Sequence, residues 1–391
     1  MQRSKAVGVN LLWLDPGVVG GSEEYTVRLL RAADDENSRV DAQSRISIRL
    51  YVAPKLLVAY PDLNERFECL TGPRSVETGF AKKGKRIAIE HSWLVGRSRH
   101  ESVVHHAGGT VPFLRAATSI VTVHDLQPLE MPENFSGVKR RWLSTMIPRS
   151  VLAARTVVCP SQFTADRVVD MLGVSAGKTK VVPHGINPLE NATTSPTEVE
   201  LLQKRFGRFM LYPAITYPHK RHADLVDVVD RLQDAIGDLN LVLTGRDGPE
   251  SDRITERVRQ LRLEDRVHVL GRIPSAELND LYHAAAVTVV PSSYEGFGNP
   301  ALEAMARGCP LIVSDAAALP EVVGEAADVV PVGDIDAWAI AVTRVITDAS
   351  HAEQLRRAGR LRAATYDWAD AGSTLLGVYR DALVPYRRFE N

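Results

Sequence analysis

Residues 287–315, VTVVPSSYEGFGNPALEAMARGCPLIVSD, constrain the fold more than any other stretch. Val287 to Val290 is a β-branched run of strand length, the pattern of a buried strand. Pro291 to Asn299 is dense in chain breakers. Pro300 falls where a helix tolerates proline, in its first turn, and Ala301 to Arg307 continues as helix. Gly308 and Pro310 stop it, and Leu311 to Val313 reads as a second buried strand.

Two carboxylates frame this loop, Glu295 within it and Glu303 in the helix. A glycine-rich loop feeding a helix N-terminus suits an anion, because unpaired N–H groups and the helix dipole point at it. Carboxylates beside a phosphate would repel it, so they suit sugar or ribose hydroxyls instead. Together these features suggest a sugar nucleotide.

The same alternation of strand and helix runs through the chain, which argues for parallel sheets covered on both faces. At 391 residues, two or three domains are expected. Lys+Arg number 47 and Asp+Glu 48, a net charge of −1 that argues against a dedicated nucleic-acid binder. Three cysteines, Cys69, Cys159 and Cys309, lie far apart and in no metal-ligand spacing, which fits a reducing cytoplasm. Ala6 to Leu14 reads as a first strand rather than a signal peptide, and no apolar stretch reaches membrane-spanning length.

The first strand leads into DPGVVGG, residues 15–21, and Ser22 is placed to cap the helix that follows. Residues 53–90 carry few periodic runs; the basic cluster 81–86, AKKGKR, reads as a solvated loop, with contact to an anionic membrane surface as the sharper alternative. His124 and Asp125 end a strand at Ser119 to Val123, where sites form in open α/β sheets. Ser161 is placed to cap a helix over 162–172. Thr, Ser, Pro and Asn cluster in 188–206, which suggests a linker. Phe209 to Pro213 then opens a second domain, and Lys220 stands at a helix entrance beside a strand end, well placed to neutralise a diphosphate.

Glu295 and Glu303 with Glu-Gly-Phe-Gly between them resemble the signature of retaining glycosyltransferases of family 4, which have the GT-B fold. The resemblance implies two Rossmann-like domains facing across a cleft. Expected boundaries are 1–188 for an acceptor domain, 189–206 for a linker and 207–367 for a donor domain. Residues 368–391 would form a helix returning to the N-terminal domain, with Trp368 and Tyr379 packing there. It also implies a role for each motif. Gly20 and Gly21 would lie near the donor phosphates, and His124, in TVHD, by the transferred sugar. Glu295 would bind donor-sugar hydroxyls and Glu303 the ribose. Backbone groups of Phe297, Gly298 and Asn299 would meet phosphate and sugar, and the turns at Gly245-Arg246 and Gly271 to Ile273 the rest of the nucleotide. The PHGIN-like turn at His184 to Asn187 would close the first domain.

One departure stands out. The family usually has an arginine a few residues before the lysine, and this chain has Pro213-Ala214 there; Arg221, Arg246 or His222 are the candidate replacements. The pattern YPA…PHK looks like a subgroup that includes mannosyl- and rhamnosyltransferases of bacterial surface polysaccharides. The expected activity is therefore metal-independent hexosyl transfer, best from GDP-mannose, to a glycan or lipid-linked acceptor. The enzyme would need no cofactor and bind no nucleic acid, and it would work in the cytoplasm, with the inner membrane face as a place of work. Alternatives are UDP-glucose, UDP-N-acetylglucosamine or deoxyhexose donors, a GT-B nucleotide-sugar 2-epimerase, and a non-catalytic nucleotide-sugar-binding protein.

Overall fold

The structure, a computed structural model, describes residues 6–18, 20–73, 80–115, 117–186 and 194–384. Asn187 and residues 189–193 of the expected linker lie outside the described residues. The chain divides into two units: residues 1–185 with 368–391, and residues 186–367.

The first unit holds β1 (Ala6–Asn10), β2 (Ser47–Val52), β3 (Glu68–Thr71), β4 (Val103–His106), β5 (Thr118–Thr122), β6 (Thr156–Cys159) and β7 (Thr179–Val181). They pair in the order β3-β2-β1-β4-β5-β6-β7, every pair parallel. β1 and β4 are buried along their whole length, as strands covered on both faces must be. The second unit holds β8 (Arg208–Pro213), β9 (Leu239–Thr244), β10 (Val267–Val269), β11 (Val287–Val290), β12 (Leu311–Ser314) and β13 (Asp328–Val330). Their order is β10-β9-β8-β11-β12-β13, again all parallel. In each sheet the order reverses beside the first strand, at β1/β4 and at β8/β11. Open α/β sheets bind ligands beyond the carboxyl ends of strands at such a switch point.

The last helix, Trp368–Leu383, packs on helix Gly21–Arg39 within the first unit, as expected. Leu375, Leu376 and Tyr379 join Tyr25, Leu29 and Ala33 in one core. The two backbones meet at Gly372, where a Cβ would stand 2.6 Å from the Ala32 carbonyl carbon. Tyr379 also reaches the sheet, its hydroxyl 2.8 Å from Nδ1 of His105 on β4. Arg155 closes the helix end, donating to the carbonyls of Asp381, Ala382 and Val384.

Local signals succeed and fail for physical reasons. Ser161 caps helix Gln162–Leu172, its hydroxyl accepting the Thr164 N–H at 3.1 Å. Residues 81–86 are not a loop: they lie in helix Phe80–Ile89, which runs on into a π-helical turn at Glu90–Leu94. Ala, Lys and Arg are good helix formers, and one glycine among them does not stop a helix. Among the described residues no helix is long and apolar enough to cross a membrane.

Candidate active site

In the second unit, the loops after β8 and β11 carry Lys220 and Glu295. The strands are neighbours, with Val287 opposite Met210 and Thr288 opposite Leu211, so their loops emerge side by side. Ser293 ties them together: its N–H donates to the His219 carbonyl at 2.8 Å. Lys220 Nζ then lies 2.5 Å from Glu295 Oε1, and both side chains are mostly enclosed, 16% and 11% exposed. The two groups assigned separately to diphosphate and sugar are thus one ion pair.

The loop ends at Gly298, the N-cap of helix Asn299–Ala306. Its φ of 102° lies where side chains rarely go, and a Cβ there would stand 2.6 Å from Leu319 Cδ2. The Phe297 ring turns inward, edge-on to Tyr366 with centroids 5.5 Å apart, so its side chain packs while its backbone stays with the loop. Asn299, at the helix start, is partly exposed. One turn on, Glu303 Oε2 accepts the Tyr282 hydroxyl at 3.0 Å, and Arg307 lies over the Tyr282 ring at 5.0 Å. Gly245 and Gly271 are brought together by a backbone hydrogen bond of 2.8 Å, with Arg246 partly buried and Ile273 packed against the unit's core.

Two of the three candidate arginine replacements have constraints of their own. Arg221 Nε is engaged with Asp224 at 2.6 Å. His222 is buried, and burial pushes it down to about 4, so at neutral pH it carries no charge.

In the first unit, Gly20 takes the N-cap position of helix Gly21–Arg39, so Ser22 lies inside the helix and does not cap it. Glu23 explains the shift. Its buried carboxylate accepts the Gly17 N–H at 2.9 and 3.1 Å and the Tyr60 hydroxyl at 2.8 Å, folding the glycine loop back onto the first turn. A carboxylate there also suits the positive end of the helix. Asp15, at the loop's start, is paired with Lys55. His124 lies against the same helix, its ring edge-on to Tyr25 and tilted to Trp13, centroids 5.6 Å away in both cases. Its Nε2 is 2.9 Å from the Ala107 carbonyl. A carbonyl can only accept, so Nε2 carries the proton and donates. Burial lowers His124 to about 4, so the ring is neutral at pH 7. His184 stacks on Tyr25, centroids 4.3 Å apart. Among the described residues no group of three or more His, Cys, Asp or Glu is arranged to hold a metal ion.

Residues 19–189 match Glycosyltransferase Family 4, and residues 201–362 match Glycosyl transferases group 1. The 2-deoxystreptamine glucosyltransferase of Streptomyces kanamyceticus is 30% identical over 267 residues, 65% of this chain and 68% of that one. The chain belongs to glycosyltransferase family 4. Other relatives resemble it to a similar degree. The O-antigen chain mannosyltransferase B of Escherichia coli is 27% identical over 271 residues, 68% of this chain and 71% of that one. The MMP alpha-(1->4)-mannosyltransferase of Mycolicibacterium hassiacum is 30% identical over 62% of this chain, a match that spans 59% of the relative's length. The fold is GT-B. HepE of Anabaena, solved with UDP and glucose, superposes with a TM-score of 0.74 at 18% identity, over 96% of this chain and 99% of that one. WaaG, a glycosyltransferase involved in lipopolysaccharide biosynthesis, gives 0.71 at 15%, over 95% and 99%.

Three polar residues of this family-4 chain escape a reading of motifs: Glu23, which looks like a solvated first-turn acid, and Tyr212 and Ser292, which look like a strand end and a loop residue. Five buried or half-buried histidines carry a further expectation. Burial holds His105 and His106 at about 3 and His124, His219 and His222 at about 4, against an ordinary 6.5. Between those values the unfolded chain binds more protons than the folded one. Their contribution is therefore complete above pH 6.5 and is lost as pH falls towards 4, by up to ~1.4 kcal/mol per pH unit for each histidine. Melting temperature should drop steadily from pH 7 to pH 5; a flat profile would contradict the neutral assignments.

Proposed function

We propose that this chain is a retaining hexosyltransferase that takes its sugar from a nucleotide sugar, best GDP-mannose, and passes it to a glycan or lipid-linked acceptor. The observation that carries this reading is the Lys220–Glu295 pair at the β8/β11 switch point, beside the N-terminus of helix Asn299–Ala306. Lys220 and that N-terminus neutralise the diphosphate as it leaves; stabilising this developing charge is the main task in such a reaction. Glu295 receives hydroxyls of the donor sugar and Glu303 those of the ribose. Backbone groups of Phe297, Gly298 and Asn299 meet phosphate and sugar. Gly245, Arg246, Gly271 and Ile273 accompany the nucleotide, while Gly20 and Gly21 lie near its phosphates. His124, neutral and fixed by Ala107, contacts the donor sugar and offers its backbone carbonyl to positive charge near the reacting carbon. Retention of configuration rests on the family resemblance, and no metal is invoked.

The names of the Escherichia coli and Mycolicibacterium relatives support mannose as the sugar. The O-antigen relatives support an acceptor in surface-glycan assembly, handled in the cytoplasm or at the inner membrane face. HepE, solved with UDP and glucose, favours a second reading with a UDP-sugar donor.

A panel of GDP, UDP, dTDP and ADP with their sugar conjugates separates these readings by thermal shift. A ligand at 100 times its Kd should stabilise the folded chain by roughly 2.7 kcal/mol. A shift with GDP and GDP-mannose is the expected result; one with UDP changes the donor and keeps the class. Interconversion of the donor sugar with no acceptor present would point to the epimerase.

A further inference from the structure

Behind Glu295 runs a relay of buried hydroxyls. Glu295 Oε1 receives two donors, Lys220 Nζ at 2.5 Å and Ser292 Oγ at 2.7 Å. Ser292 Oγ lies 2.9 Å from the Tyr212 hydroxyl. An ionised carboxylate only accepts, so the Ser292 proton goes to Glu295 and Tyr212 must be the donor to Ser292. Burial, reinforced by the Glu295 charge, raises the Tyr212 phenol well above its ordinary value, so it keeps the proton it gives. Both residues are fully buried, and the Ser292 carbonyl is itself held by Ser314 Oγ at 2.5 Å. Tyr212 sits near the end of β8, and Ser292 lies just past the end of β11. The relay therefore starts on one switch-point strand and ends in the first residues after its neighbour.

Lys220 is asked to serve two anions. In the structure it pairs with Glu295; with a donor bound it faces a diphosphate, whose charge is greater than that of one carboxylate. As Lys220 turns to the diphosphate, Glu295 loses a charged donor. We infer that Ser292, backed by Tyr212, is a positioning residue that keeps Glu295 directed at the donor sugar once Lys220 is engaged by the diphosphate. This rests on the reading of the second unit's site as a nucleotide-sugar site. The relay is fully buried and leads to Glu295, so its loss should be felt where the sugar matters.

Ser292→Ala and Tyr212→Phe each remove one hydroxyl and leave the packing volume almost unchanged. In the full chain, calorimetry would measure binding of GDP and of UDP, and turnover would be followed as slow hydrolysis of GDP-mannose and of UDP-glucose. The nucleoside diphosphate should bind both variants within about twofold of the parent, while hydrolysis should fall about tenfold or more in Ser292→Ala, the scale of a lost hydrogen bond to a charged group. Tyr212→Phe should show a smaller loss of the same kind, and adding it to Ser292→Ala should cost nothing further, because Tyr212 acts only through Ser292. Equal losses for diphosphate binding and turnover would mean a collapsed loop and would overturn the inference, as would unchanged turnover in Ser292→Ala or additive losses. A parent chain that binds neither diphosphate would overturn the site reading itself, a result distinct from all of these.

Discussion

Glu295→Ala should lower sugar transfer by about 10²- to 10³-fold, the range seen when one preorganised polar contact to a reacting group is removed. The substitution leaves untouched Lys220 and the start of helix Asn299–Ala306, the groups proposed to meet the diphosphate. Nucleoside diphosphate binding should therefore survive and even tighten, because Lys220 no longer divides its charge with a carboxylate 2.5 Å away. Loss of the pair carries a stability cost of up to ~3 kcal/mol, less than for a fully buried pair because both groups keep some solvent contact. Circular dichroism melts, diphosphate titration and a transfer assay together check the claim. A variant that turns over like the parent removes Glu295 from the site.

Gly372→Leu should unfold the first unit's seam. A Cβ at this position already stands 2.6 Å from the backbone of Ala32, and backbone cannot move aside as a side-chain tip can. Overpacking of a core costs about 1–3 kcal/mol where neighbours can adjust, so ~3 kcal/mol or more is expected here. The helix carrying Leu375, Leu376 and Tyr379 would be levered off the helix carrying Tyr25, Leu29 and Ala33. Limited proteolysis should then cut near residue 368 and release the C-terminal segment, with a lowered melting temperature. A variant as resistant as the parent would show that the contact is not close.

The parts of this architecture legible from sequence are those written in local chemistry. The β-branched run Val287 to Val290 and the apolar run from Leu311 announce β11 and β12, and Pro300 with Gly308 brackets the helix between them. Lys220 and Glu295 were visible as types in suitable loops. Their contact was not, because the loops meet only through the neighbouring of β8 and β11, strands almost eighty residues apart in the chain. Tyr212 and Ser292 were hidden for the same reason. A tyrosine at the end of an apolar strand reads as core, and nothing nearby in sequence discloses the hydroxyl it points to. Glu23 is hidden from the other direction. Acids in a first turn are commonly solvated, and only the return of Gly17 and Tyr60 makes this one a buried anchor that displaces Ser22 from the cap. Helix Phe80–Ile89 was missed because a short basic run around one glycine reads as a solvated loop, although Ala, Lys and Arg are good helix formers.

The first unit is written in two separate pieces, residues 1–185 and 368–391, with the whole of the second between them. That order has a consequence for a chain emerging from the ribosome. The seven strands of the first sheet leave the exit tunnel before the second unit, yet the helix that covers Tyr25, Leu29 and Ala33 is made after it. At about 5–20 residues per second, the segment between the two pieces takes roughly 10–40 s to synthesise. Throughout that interval the apolar face of helix Gly21–Arg39 waits for its cover, while the second unit, continuous in sequence, can finish folding first. The first piece of this unit is thus translated before the second unit and sealed only after it.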